Sequence, residues 1–253
     1  MSTLKLKKKN DSSFDEDSLK ESAGDNENGI NNINQYFYKV SNHHELFKIG
    51  RSFYEDYKTK GVKSFAISST GYQDSQQKSI LGLASFFDHK TKIKIGIISD
   101  NLFDGTFKDL LMASELEDVI IGEKIPALKI YSFYDHFEFL DLKQVVDLVN
   151  DHSIAYYDEV LDKLIENYDI IFWDVPELQK IQKNSEKFFP IIMKFESLSI
   201  IVSQRSSSAK DIEEIKNFFL GYGINLKGLL LESVKENDDD QAIESERPWW
   251  RFF

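Results

Sequence analysis

Five short apolar runs, at residues 63–68, 94–99, 169–174, 198–203 and 226–231, recur along the chain with stretches of helical periodicity between them. A run that is apolar at successive positions cannot keep one face in water, because side chains alternate across a strand. It must be covered on both faces, which is the condition of a parallel sheet whose crossover helices pack above and below it. The expected fold class is therefore α/β, a parallel sheet with helices on both faces. Residues 127–133 add a further strand. Helices are expected ahead of the first strand, where Asn42 and Glu45 suit a capping box before Leu46, Ile49, Phe53 and Tyr57, and over 78–87, 106–114, 142–168 and 209–221.

The two ends have a different composition. Residues 1–34 open with a basic stretch, Lys5 to Lys9, and continue in Ser, Asp, Glu, Asn and Gly with few large apolar side chains. Such a segment cannot bury enough surface to offset its ordering entropy, so a disordered tail is expected there. Residues 35–233 form the expected domain. Residues 234–253 read as a flexible acidic tail that closes on Trp249, Trp250, Arg251, Phe252 and Phe253. Those side chains either fold back onto the domain or anchor a protein partner, since aromatic and Arg side chains dominate binding hot spots.

Composition removes several classes of function. With no cysteine, disulfides, thiolate metal sites and cysteine nucleophiles are excluded. No apolar run approaches the roughly 18 residues of a membrane span. A net charge of −12 disfavours nucleic-acid binding. The five histidines show no metal-ligand spacing, and no metal site is expected. Asp135 to Glu138, two acids around His136, reads as an exposed turn.

In an open α/β sheet, ligands bind beyond the carboxyl ends of the strands. The first strand-to-helix turn runs from Ser68 through Gly71 to Lys78 and Ser79. Strand, loop, then Lys-Ser opening a helix is the outline of a P-loop, with the lysine on phosphate and the serine hydroxyl on magnesium. A phosphate cradle needs converging backbone amides, which glycine permits. Gly71 is the only glycine in this turn, Gln77 stands where the second is expected, and Asp74 adds a negative charge. The alternative is a plain helix start with an exposed lysine.

These segments resemble the MinD/ParA-type ATPases, and among them the cytoplasmic domains of bacterial tyrosine kinases of capsule and exopolysaccharide synthesis. The similarity spans about residues 42–232. Ser68, Ser69, Lys78 and Ser79 fall on the Walker A stretch. Ile97-Ile98-Ser99-Asp100-Asn101-Leu102 falls on the second acidic motif, and Tyr168 to Pro176 on a third motif that ends Asp-x-Pro. Lys78, Ser79 and Asp174 match. The two acids of the second motif stand here as Ser99 and Asn101, which lack the charge that orients water or magnesium. The tail carries no tyrosine, so autophosphorylation there is excluded.

The resemblance with these departures implies a non-catalytic pseudo-ATPase or pseudokinase, with no catalytic residue and no cofactor. It would be a scaffold or regulator in a bacterial envelope-associated assembly of polysaccharide synthesis or export, cytoplasmic and recruited to the inner membrane by a partner. The expected partners are a membrane-associated polysaccharide or secretion protein, or a homo- or heterodimer mate, and not nucleic acid. Lys78, Ser79 and Asp174 would be a vestigial nucleotide site, although Asp174 serves equally well to cap the following turn. The alternative is an active or nucleotide-sensing ATPase that holds ATP and Mg. A DNA-partitioning role is disfavoured by the acidic balance.

Overall fold

The computed structural model describes residues 44–71, 73–112, 114–120, 127–133, 137–151, 157–203, 207–232 and 250–252. Helix α1 (His44–Glu55) continues into a π-helical turn, Asp56–Lys60, and stops at Gly61, whose φ of 71° places it in the left-handed region that glycine tolerates. Strand β1 (Ser64–Ser69) then leads to α2 (Gln73–Thr91), β2 (Ile95–Ser99) and the short α3 (Thr106–Leu111). Strands β3 (Glu115–Val119), β4 (Leu128–Phe133) and β5 (Phe137–Asp141) come next, followed by α4 (Leu142–Val149) and α5 (Tyr157–Glu166). The remainder comprises β6 (Ile170–Asp174), α6 (Leu178–Lys183), α7 (Ser185–Ile192), β7 (Ser197–Ser203), α8 (Ala209–Leu220), β8 (Leu226–Glu232) and β9 (Trp250–Phe252).

Among the described residues, nine strands form one sheet in the order β3-β4-β5-β2-β6-β1-β7-β8-β9. The six strands from β5 to β8 run parallel, as the apolar runs require. The sheet is mixed rather than uniformly parallel. β4 lies antiparallel between β3 and β5, and β9 lies antiparallel on β8. β3 had no signature in the sequence because Glu-Leu-Glu-Asp-Val carries one strong β-former among three acids. The expected turn at 135–138 is likewise corrected: Glu138 lies within β5, where it accepts from the Tyr168 hydroxyl at 2.8 Å and pairs with Lys94 at 2.8 Å. Asp135 and His136 lie outside the described residues.

Alternation along each central strand divides the core in two. Phe65, Ile67, Ile97 and Phe172 face α1, α2 and α3, while Ala66, Ile98, Ile171 and Trp173 face α4, α5, α7 and α8. On the first face Phe65 lies between Phe53 of α1 and Phe172 of β6, at centroid distances of 5.0 and 5.8 Å. α1 meets α2 closely at Gly50: a Cβ there would lie 2.4 Å from the Phe86 ring. On the second face the Trp173 indole donates to Ser64 Oγ at 2.7 Å, so this large buried side chain keeps its polar atom paired.

Candidate functional site

The sheet register assembles the site. Asp174, the last residue of β6, pairs with Ile67 of β1 on one side and with Ser99 of β2 on the other. Its side chain is 1% exposed. Asp174 Oδ2 accepts from the Ser99 hydroxyl at 2.5 Å, and Oδ1 accepts from Gln76 Nε2 at 2.6 Å. Burial pushes the Asp174 carboxyl up to about 7. The hydrogen bonds from Ser99 and Gln76 pull against that, and the nearby Asp100 charge adds to it.

Gln76 closes the space between the strand ends. Besides Asp174, the Ile67 and Val175 carbonyls both lie 2.8 Å from its Nε2, so three acceptors share its two N–H groups. Gln77, fully buried, does the same toward the neighbouring loop: its Nε2 donates to the Asn101 carbonyl at 2.9 Å, and its Oε1 accepts from the Phe107 amide at 3.2 Å. Gly105, with φ of 64°, leaves room for that side chain. A Cβ there would stand 2.6 Å from Gln77 Oε1. Two adjacent glutamines thus join β1, β6 and the β2–α3 loop from within.

The turn between β1 and α2 is short. The helix opens at Gln73, five residues before the position expected from the Lys-Ser pair, so Lys78 falls in the second turn of α2. Lys78 is ion-paired with Asp74 one turn earlier. Burial pushes the Asp74 carboxyl up, but hydrogen bonds from Lys78 and Thr106 outweigh it and hold the group below the ordinary range. Thr106 Oγ1 to Asp74 Oδ1 is 2.5 Å. Ser79, fully buried, donates its hydroxyl to the Ser75 carbonyl at 2.6 Å. Beside the turn, Thr70 Oγ1 meets Ser207 Oγ, and Ser207 Oγ also accepts from the Ser203 amide at 2.8 Å. Asp100 turns to Lys180 of α6.

Of the expected nucleotide residues, the structure therefore brings Lys78, Ser79 and Asp174 to one end of the sheet but gives each its own protein partner. Gln76 was missed, and Gln77 was read only as the replacement of a glycine. Their signal was a Gln-Gln pair at the place of the missing glycine, facing an aspartate at a strand end. Trp250, Arg251 and Phe252 form the backbone of β9 with the register Leu230↔Phe252, Leu231↔Arg251 and Glu232↔Trp250. Trp249 and Phe253 lie outside the described residues. Among the described residues no group of three His, Cys, Asp or Glu side chains is placed to hold a metal, and no helix is long and apolar enough to cross a membrane.

The sheet and its crossover helices give the chain a fold similar to that of solved kinase domains. Solved structures with this fold include the kinase domain of the Escherichia coli tyrosine kinase ETK, at 14% identity and a TM-score of 0.50, covering 73% of this chain and 72% of that one. The BceF tyrosine kinase domain aligns at 12% identity and a TM-score of 0.51 over 75% and 76% of the two chains. The VpsO kinase domain aligns at 13% and 0.52 over 81% and 98%. No family model and no curated protein matches the sequence.

Proposed function

We infer that this chain is a pseudo-ATPase of the P-loop kinase fold that works by binding a protein partner. The observation that carries this reading is the buried Gln76 amide, which donates to Asp174 and to the carbonyls at the ends of β1 and β6. In a working site of this kind a magnesium triphosphate needs an ionised acid, a free lysine and a free serine hydroxyl. Here Asp174 is drawn toward its neutral form, Lys78 is held by Asp74, and Ser79 is spent on a helix carbonyl. Magnesium ATP does not fit these residues as they are arranged, and no step is derived through it.

The three kinase-domain neighbours share the fold at 12–14% identity and do not fix the process. The resemblance to kinases of capsule and exopolysaccharide synthesis supports a role as scaffold or regulator in a bacterial envelope assembly. Its partner would be a membrane-associated polysaccharide or secretion protein that recruits the chain from the cytoplasm to the inner membrane. The aromatic segment Trp249 to Phe253 is the proposed partner contact.

The test is thermal unfolding of the full chain with and without millimolar magnesium ATP. An unchanged midpoint supports the pseudo-ATPase. A rise that Lys78→Ala removes would establish the other reading, a nucleotide-sensing ATPase. Retrieval of an inner-membrane polysaccharide or secretion component by the full chain, lost with Trp249 to Phe253 deleted, tests the partner contact.

A further inference from the structure

Helices α7 and α8 carry an outward surface that the proposed function does not use. Phe189 of α7 and Met193 just beyond it are 49% and 51% exposed. Glu186, Phe189 and Met193 are spaced i, i+3 and i+7, so they form one stripe. Asp211, Glu214, Phe218 and Tyr222 form a second stripe along α8 by the same periodicity. The two stripes meet. The Phe189 and Tyr222 rings lie 6.0 Å apart, and the Tyr222 and Phe218 rings 5.2 Å. These rings stand on the core. Phe218 meets Phe219 edge-on at 5.1 Å, Phe219 lies 6.1 Å from Phe195, and Phe195 lies 5.3 Å from Trp173. A surface aromatic backed by buried rings gives up little side-chain freedom when a partner covers it, which favours a binding hot spot.

Charge decides what can cover the patch. Glu186, Asp211 and Glu214 are exposed, one or two helical turns before these rings. None of the three forms an ion pair with another described residue. The lysines are placed differently. Lys187 and Lys216 stand two positions from Phe189 and Phe218, on other sides of their helices. Lys194 is paired with Asp162 at 2.5 Å. Lys210 alone stands against the three acids on these two helices. A second copy related by a two-fold axis would set the patch against itself, acid against acid, in a chain of net charge −12. Anionic lipid and nucleic acid meet the same repulsion. A protein segment with apolar side chains flanked by Lys or Arg satisfies both the rings and the acids. Two adjacent helical ridges seat a third helix, apolar face down.

We propose that the patch of Phe189, Met193, Phe218 and Tyr222, bordered by Glu186, Asp211 and Glu214, docks a basic amphipathic helix of a protein partner. The contact is salt-sensitive, because charges at a surface are screened. α7 and α8 cover the sheet face away from α2. Occupancy of the patch is therefore measured independently of nucleotide binding, and its failure leaves the pseudo-ATPase reading as it was.

Fluorescence anisotropy with two labelled synthetic helices tests the proposal. One is built from Leu and Lys, and the other keeps the Leu pattern with Glu in place of Lys. The full chain should bind the Leu/Lys helix at least tenfold more tightly than the Leu/Glu helix. Phe189→Ser should weaken that binding at least tenfold, and Glu186→Lys combined with Glu214→Lys should reverse the preference. An unchanged thermal midpoint reports that each variant is folded. Met193→Ser supplies the same readout should Phe189→Ser lower the midpoint. Phe103→Ser alters an exposed ring on the other sheet face and should leave binding unchanged. Absence of Leu/Lys binding overturns the proposal. So does binding that Phe103→Ser weakens as much as Phe189→Ser, or a preference that the charge reversal leaves intact. A concentration-dependent dimer that Phe189→Ser dissolves overturns it as well, and would assign the patch to a second copy.

Discussion

Replacing Asp174 by asparagine should make the protein more stable at pH 8 and remove a pH dependence. The folded carboxyl has its pKa raised to about 7 against an ordinary value of 3.8, chiefly through burial. Below the ordinary value both folded and unfolded chains carry the proton, and the group costs nothing. As pH rises from about 4 to 7 the unfolded chain releases the proton while the folded chain retains it. Stability therefore falls by about 1.4 kcal/mol per pH unit over that window and levels above it. Across about 3 units the loss comes to ~4 kcal/mol. Asparagine keeps the shape: its carbonyl can accept from Gln76 Nε2 and its amide can donate to Ser99 Oγ, the two partners present now. Urea unfolding of both proteins at half-unit steps from pH 4.5 to 8.5 measures the difference. The stability gap should be near zero at the acid end and widen to a few kcal/mol in favour of Asp174→Asn at pH 8. A variant that is less stable at pH 8, or a gap that does not change with pH, would refute the reasoning, because it would mean that the carboxylate is held ionised in the fold.

Gly50→Ala places a methyl carbon inside the Phe86 ring at the α1–α2 contact and should cost about 1–3 kcal/mol in urea unfolding, the range for overpacking a filled core. Ser64→Ala strands the Trp173 indole N–H in the core and should cost about 1–3 kcal/mol, with a shift in tryptophan emission as the second readout. Gly105→Ala meets both the left-handed backbone and Gln77 Oε1 at 2.6 Å, and should lower the melting temperature more than Gly223→Ala, where φ is also positive but no atom lies within 4 Å. Deletion of Trp249 to Phe253 should leave the far-ultraviolet circular dichroism of the domain within a few per cent of the full chain while one protein interaction is lost. Failure of the shortened chain to fold would show that β9 belongs to the core rather than to an edge.

The parallel core was legible because its strands are buried on both faces. Ile-Ile-Phe-Trp at 170–173 and Ile-Ile-Val at 200–202 are apolar at successive positions, and the sequence says so. The edge was not legible. β3 is held by pairing with β4, and its residues are largely acidic, so composition argues for a loop. β5 runs without a break into α4, where Asp141 caps the helix through Lys143 N at 2.8 Å, and no turn residues separate the two. The start of α2 was obscured for a different reason. Gln73 to Gln77 are polar in sequence, yet Ser75, Gln76 and Gln77 are buried in the fold. Period and hydropathy count such residues as surface, and only knowledge of their partners at Asp174 and Asn101 makes them interior. The outline of the site could thus be read from Lys78, Ser79 and Asp174, whereas the groups that occupy it could not.

Isothermal titration of the full chain with magnesium ATP at pH 7.5, carried to 1 mM ligand, bears most directly on the central claim. A chain whose strand ends are closed by Gln76 should give no heat beyond dilution. A saturable isotherm with a micromolar Kd, lost in Lys78→Ala, would show that the site opens for nucleotide and that the glutamine closure does not define the working protein.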